Sequence, residues 1–313
     1  MVKKILITGA SGLVGQRLTE LLLQKGYQVS HLGRSKRGGT VPSFVWDVEK
    51  GFMDSRAMND VDTIIHLAGA GVADKRWTAT RKKEILESRT ESTDLLFETL
   101  KNEKNSVTTV ISASAIGYYG FGWSDEVFTE ESKSGSDFLA QVTKQWEEKV
   151  DKISSIGIRV VKLRIGIVLS EKGGALVEMA KPIKLGVGSP LGTGKQYLTW
   201  IHLDDLCEMF IKAVEDQMMR GSYNAVGSEW VTNAEMTKAI AKVLKKPLWL
   251  PPVPGFVLKI VLGEMADMVL NGSKISSDKI QKTGFKFKFT KLEEALRDLL
   301  LKGSSKNSFD LYQ

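Results

Sequence analysis

Residues 9–15 read Gly-Ala-Ser-Gly-Leu-Val-Gly, directly after the apolar run Lys3–Thr8 and at the head of a segment carrying Val14, Leu18, Leu21 and Leu22 at helical spacing. Strand, glycine turn and helix in that order form a cradle for an anion. Gly9 allows the tight turn, Gly12 lets a pyrophosphate approach the backbone, and Gly15 lets helix pack closely on strand. The free N–H groups at the helix start, around Leu13, then face the anion together with the positive end of the helix dipole. Ser11 adds a hydroxyl.

The end of the second expected strand reads Leu32-Gly33-Arg34-Ser35-Lys36-Arg37. An Asp or Glu in this region would bond the ribose 2′-OH of NAD, whereas a basic residue suits the 2′-phosphate of NADP. No carboxylate is present, so Arg34, with Ser35 beside it, predicts NADP(H); a plain exposed basic turn is the other reading. Asp47, ending the third strand, would accept from the adenine amine or simply start a turn.

Lys75, Arg76 and Trp77 follow the fourth strand, at the strand ends where ligands bind in open α/β sheets. They would clamp an anionic, ring-bearing substrate, or form a surface turn with Trp77 as a packing lid. Arg164 and Lys195 are weaker candidates of the same kind. His202 precedes Asp204 and Asp205, but three histidines without ligand spacing predict a structural imidazole and no metal.

These residues need a scaffold, and the pattern around them supplies one. Strand-like runs at Lys3–Thr8, Tyr27–Leu32, Phe44–Asp47, Thr63–Leu67, Thr108–Ala113 and Arg159–Leu163 alternate with helical segments, including Thr80–Leu100 and Ser136–Ile153. That predicts an α/β fold, a doubly wound parallel sheet, over residues 1–164. A glycine-punctuated region, 165–302, would complete the core and cap the substrate. In it, Leu206, Met209, Phe210 and Ala213 share a helix N-capped by Asp204 or Asp205, Pro247–Pro254 is a rigid connector, and Phe285–Phe289 is a short strand. Residues 303–313 read as a flexible tail.

The 313 residues, 42% hydrophobic and 26% charged, describe an ordinary folded chain rather than a disordered one. Cys207 is the only cysteine, which excludes intrachain disulfides and multi-thiolate metal sites and points to a reducing compartment. The first apolar run ends at Thr8-Gly9, too early for a secretory segment, and no run approaches membrane-spanning length, so a cytoplasmic protein with no membrane partner is expected. The net charge, 44 − 37 = +7, includes Lys274, Lys279, Lys282, Lys286, Lys288 and Lys291. Without a recognition motif these read as a solvated face, not a nucleic-acid patch.

The strings GASGLVG, HLAGAGV (66–72) and SASAIGYYG (112–120) together resemble an extended short-chain dehydrogenase/reductase, whose core is a Rossmann fold. KRWTATRKKEILESRT, FLAQVTKQWE, LRIGIVL, LTWIHLDDL and TGFKFKF, in order, narrow the resemblance to its "epimerase family" branch, labelled nucleoside-diphosphate-sugar epimerase-like, over essentially the whole chain. The resemblance implies cofactor contacts at Leu67, Ala68 and Gly69 and a catalytic serine at Ser114. It also implies a Tyr-x-x-x-Lys pair, in which a phenolate moves the proton and an ammonium lowers its pKa. Here Phe138 and Val142 stand in those places, and no register restores the pair. Tyr118 and Tyr119 are the replacement acids within reach, or parts of a structural turn. Two functions remain open: an NADP(H)-dependent oxidoreductase or epimerase acting on an anionic, nucleotide-sugar-like molecule in a cleft between the two regions, and a catalytically silent NADP(H)-binding sensor acting through a partner.

Overall fold

The structure is a computed structural model that describes residues 3–36, 38–122 and 126–306. Arg37 of the basic turn lies outside the described residues. The chain begins β1 (Lys4–Thr8), α1 (Leu13–Gln24), β2 (Gln28–Gly33), β3 (Ser43–Asp47), β4 (Phe52–Met53), β5 (Thr63–His66), α2 (Ala79–Asn102) and β6 (Thr109–Ala115). It continues through β7 (Val127–Phe128), α3 (Phe138–Lys152), β8 (Arg159–Ile165), β9 (Ile167–Leu169), α4 (Ala175–Lys184), β10 (Tyr197–Leu198) and β11 (Trp200–His202). The last part forms α5 (Leu203–Glu215), β12 (Gly221–Ala225), β13 (Val231–Thr232), α6 (Asn233–Leu244), α7 (Gly255–Leu262), α8 (Asp267–Leu270), β14 (Lys274–Ile275), α9 (Asp278–Lys282) and α10 (Leu292–Lys306).

Eight strands form one sheet in the order β12-β8-β6-β5-β1-β2-β3-β4. β1 pairs in parallel with both β2 and β5, β2 with β3, and β5 with β6, whereas β4 closes the edge antiparallel to β3. The central strands are apolar along their length and fully covered, as a sheet with helices on both faces requires: Ile5, Leu6, Ile7, Ile64 and Ile65 have no exposed surface. Strand order reverses between β1 and β5. The glycine turn after β1 and the segment after β5 therefore lie at the switch point, where an open α/β sheet leaves a crevice. This is the expected doubly wound, Rossmann-like fold.

Contacts divide the chain into two units: 1–120, 133–164 and 207–223 make unit 1, and 121–132, 165–206 and 224 onward make unit 2. Unit 1 holds the sheet, α1, α2, α3 and most of α5. Unit 2 has its own core, in which Leu176, Trp200, Met236, Ile240 and Leu296 pack, and short two-stranded ladders β9–β11, β10–β13 and β7–β14. Among the described residues no helix is long and apolar enough to cross a membrane.

Three expectations are corrected. Phe285–Phe289 is not a strand, because the N–H groups of Lys288 and Phe289 donate to the Asp205 carboxylate at 2.8 and 3.0 Å instead of to a neighbouring strand. Neither Asp204 nor Asp205 caps α5: the helix starts at Leu203, and the His202 Nδ1 accepts from the Asp204 N–H at 3.0 Å. Helix α10 runs through Gly303 to Lys306, where a tail was expected; residues 307–313 lie outside the described residues. The glycine-rich stretch also contains more regular structure than its composition suggests, α4 and β9–β11 among it.

Candidate functional site

The three glycines of the turn do different things. Gly9 has φ +66°, and a Cβ there would lie 2.7 Å from the Leu67 carbonyl carbon and oxygen. At Gly15 a Cβ would lie 2.6 Å from the Ala10 Cα. Both are glycine because the protein's own backbone occupies the space. Gly12 is different. Its φ of −74° suits any residue, and an added Cβ would meet only the Gly9 oxygen, at 3.4 Å. Nothing among the described residues requires a glycine there. Gly12 is also the N-cap of α1 and has no side chain to satisfy the first N–H groups, so the helix start around Leu13 presents uncapped donors.

Beside that turn lies a cavity of about 140 Å³, lined by Gly9, Ser11, Gly33, Arg34, Ser35 and Ser43 among others. Arg34 is exposed and makes no hydrogen bond or salt bridge among the described residues. Ser11 and Ser35 are exposed beside it. Asp47 takes the turn reading: its carboxylate accepts from the Lys50 N–H at 3.1 Å and pairs with the Lys50 ammonium at 3.0 Å, contacts that hold it below the usual carboxylate range.

The segment after β5 is shaped by a polar face of α2 that the sequence reading did not single out. The Ala70 N–H donates to Ser88 Oγ at 3.0 Å, Arg81 Nη2 donates to the Gly71 carbonyl, and the Trp77 indole N–H donates to Val72 O at 2.8 Å. His66 is wholly buried beneath this segment. The Thr8 hydroxyl accepts from the N–H groups of Leu67 (3.1 Å) and Ala68 (3.2 Å), so its own proton goes to His66 Nδ1 at 2.8 Å. The imidazole is then the Nε2–H form, facing Thr93 Oγ1 at 3.2 Å, and Thr93 in turn donates to the Arg89 carbonyl. Burial pushes the His66 pKa down to about 4, so the ring is neutral near pH 7. Leu67, Ala68 and Gly69 are thus held at the switch point by β1 and α2 together.

Ser114 is the penultimate residue of β6 and is almost fully buried. Its hydroxyl donates to Glu147 Oε1 at 2.6 Å. That same carboxylate receives Arg164 Nε at 2.8 Å and Nη2 at 2.9 Å, and Lys162 approaches it at 3.4 Å. Burial works against the charge of Glu147, but the forked guanidinium, Lys162 and Ser114 outweigh it and leave the carboxylate pKa below its ordinary value. Arg164 is only 4% exposed and is committed to Glu147, which corrects its assignment as a substrate clamp. Its Nη1 also donates to the buried Tyr119 hydroxyl at 3.1 Å, and its guanidinium lies over the Tyr118 ring, 3.5 Å from the centroid. Tyr118 is half-buried, and its hydroxyl makes no hydrogen bond among the described residues. Glu147, the organiser of this cluster, is the last letter of the FLAQVTKQWE string. Only a buried acid on the inner face of a helix signalled it.

Phe138 opens α3, packs edge-on to Trp77 with ring centroids 5.1 Å apart, and has the Lys82 ammonium over its ring at 5.2 Å. Val142 is buried in the core. Trp77 is buried and acts as the packing lid, while Lys75 and Arg76 stay exposed on the same loop. Lys195 is exposed on a loop that belongs to unit 2. His202 is buried and stacked on Phe289 with centroids 3.9 Å apart, a structural placement.

A parallel sheet with its glycine cradle at the switch point defines a Rossmann-like α/β protein of the short-chain dehydrogenase/reductase kind. The chain belongs to the NAD dependent epimerase/dehydratase family, which its residues 5–225 match, and residues 253–299 match a domain of unknown function (DUF1731). It is 36% identical to Epimerase family protein YfhF of Bacillus subtilis, over 95% of this chain and 97% of that protein. Epimerase family protein SDR39U1 homolog, chloroplastic, of Arabidopsis thaliana is 35% identical over 94% of this chain and 86% of its own. Among solved structures, human epimerase family protein SDR39U1 (isoform2) with NADPH superposes with a TM-score of 0.85 at 29% identity, covering 95% of this chain and 98% of that one.

Proposed function

We propose that the protein binds NADP(H) and uses it as an oxidoreductase or epimerase on a small anionic, nucleotide-sugar-like molecule, in the cytoplasm. One observation carries the cofactor: an unblocked Gly12 at an uncapped helix start, beside a cavity edged by the uncommitted Arg34 guanidinium. The NADPH held by the human relative supports the same choice. The helix start around Leu13 would face the diphosphate, Arg34 and Ser35 the 2′-phosphate, and Leu67, Ala68 and Gly69 the rest of the dinucleotide. The nicotinamide supplies hydride transfer when bound. Exposed Lys75 and Arg76 support an anionic substrate, and the single buried cysteine supports a reducing compartment.

The chain's own task would be to move a proton. With Phe138 and Val142 in place of the phenol and ammonium, the candidates are Ser114, Tyr118 and Tyr119. Ser114 is already donating to Glu147 and Tyr119 is buried against Arg164, which leaves the Tyr118 hydroxyl, its ring held under the guanidinium, as the acid/base group. The same commitments favour a second reading, a silent NADP(H)-dependent sensor. Titration decides the cofactor: NADPH should bind about tenfold to hundredfold more tightly than NADH, and Arg34→Ala should remove that preference. Equal affinities would sink the assignment. On any carbonyl or nucleotide sugar turned over in a panel assay, Tyr118→Phe should cost about 10² to 10⁴ in rate. Failure to turn over any member of the panel, with NADPH binding intact, favours the sensor.

A further inference from the structure

Among the described residues Arg89 is a cation without a counter-ion. It lies on α2 and donates Nη1 to the Ile85 carbonyl at 2.8 Å, with its guanidinium 5.3 Å from the Trp146 ring centroid. No carboxylate pairs with it among the described residues, and its Nε–H and Nη2 groups make no hydrogen bond there. Its position is specific: a Cβ added to Gly69 would come 3.1 Å from the Arg89 Cζ and 3.4 Å from Nε. The Arg89 side chain is therefore packed on a glycine at the carboxyl end of β5, beside the switch point. Burial and the neighbouring charge of Arg81 together push its pKa down to about 10, the mark of a desolvated and uncompensated positive charge. Structural arginines elsewhere in the protein are satisfied by several acceptors, Arg164 by the Glu147 carboxylate and Arg159 by the carbonyls of Ala213, Asp216 and Met219, whereas Arg89 has the Ile85 carbonyl alone among the described residues.

We propose that Arg89, packed on Gly69, binds a phosphate group at the end of β5 through the Nε–H and Nη2–H edge of its guanidinium. Two parallel N–H donors in a rigid fork match two phosphate oxygens, whereas an ammonium offers only a point charge. The bare Gly69 gives the guanidinium itself room to lie at the end of β5, where a side chain would displace it. The phosphate belongs either to the diphosphate of the bound dinucleotide or to the substrate; the first source rests on the NADP(H) reading above, and the test keeps the two apart.

Full-length wild type, Arg89→Gln and Arg89→Lys are titrated calorimetrically with NADPH, with adenosine 2′-monophosphate, and with inorganic pyrophosphate in the presence of saturating NADPH. If the cofactor is the source, Arg89→Gln weakens NADPH by about tenfold to hundredfold and leaves adenosine 2′-monophosphate, which has no diphosphate, unchanged. If the substrate is the source, NADPH affinity is kept and the pyrophosphate bound by wild type is lost in Arg89→Gln. Wild type that binds neither NADPH nor adenosine 2′-monophosphate refutes the NADP(H) reading, and the pyrophosphate titration, then run without NADPH, still tests Arg89. Arg89→Lys keeps the charge without the fork and should fall between wild type and Gln; it also serves if the Gln variant does not fold. Unchanged binding of NADPH and pyrophosphate in the folded variants overturns the proposal.

Discussion

At the scale of single residues, the glycine turn separates a requirement of the ligand from a requirement of the fold. Gly12→Val should keep the circular dichroism and melting temperature of the wild type and lose NADPH binding, because the new side chain enters space the protein itself leaves open. Gly15→Val should lose stability before binding can be asked about, since its Cβ would collide with the Ala10 backbone. Equal damage to both folds would refute the distinction. His66 carries the pH dependence. Its folded pKa of about 4 lies below the ordinary histidine value of about 6.5, so the unfolded chain takes up a proton first as pH falls. The stability conferred by the neutral ring is complete above about pH 6.5 and is lost progressively toward pH 4, with about 2 kcal/mol gone between pH 7 and 5. Urea unfolding at those two pH values should show this loss, and His66→Gln should flatten it. His202, also pushed down by burial, acts in the same direction, so the variant keeps part of the slope. An unchanged slope in His66→Gln would exclude His66 as its source.

At the scale of elements, legibility followed how local the cause was. β1, α1 and the turn between them were readable because a run of buried apolar residues, three glycines and a helical stripe are adjacent in sequence. The ends of α2 and α3 came out within two residues, since Thr78 and Asp137 cap them through their own side chains. The polar face of α2 was not legible. Arg81, Ser88 and Thr93 look like a solvated stripe until β5 and the segment after it are placed beside them, because their partners, Gly71 O, the Ala70 N–H and His66, lie outside α2. Phe285–Phe289 failed for the same reason in reverse: its alternation suits a strand, but the Asp205 carboxylate, distant in sequence, takes the backbone N–H groups a strand would have used. Glu147 was the largest omission. A glutamate on a helix is ordinarily a surface residue, and only the convergence of Ser114, Lys162 and Arg164 from two strands makes it the centre of a cluster.

At the scale of the whole molecule, the two units are interleaved, and the boundary that looks natural in the sequence does not cut between them. The alternating strand–helix pattern ends near residue 164, yet unit 1 is completed only when the chain returns over 207–223. That return supplies most of α5, whose Met209, Phe210, Ile211 and Ala213 have no exposed surface. It also supplies the carbonyls of Ala213, Asp216 and Met219, which accept from the buried Arg159 guanidinium at 2.9, 3.3 and 3.0 Å. A fragment ending at residue 164 would keep the whole glycine cradle, Arg34 and Arg89. It would also expose the surface that α5 covers and leave the Arg159 guanidinium, on an edge of the remaining sheet, without those acceptors. Removing large buried side chains costs about 2 to 5 kcal/mol each, and a domain's net stability is only about 5 to 15 kcal/mol. The fragment 1–164 should therefore show no cooperative thermal transition and no saturable NADPH binding, although every residue assigned to the cofactor is present. Calorimetry of the purified fragment with and without NADPH is the check. A cooperative melt that NADPH raises would show that the first half folds without α5 and that the return over 207–223 is an addition to the unit rather than part of its core.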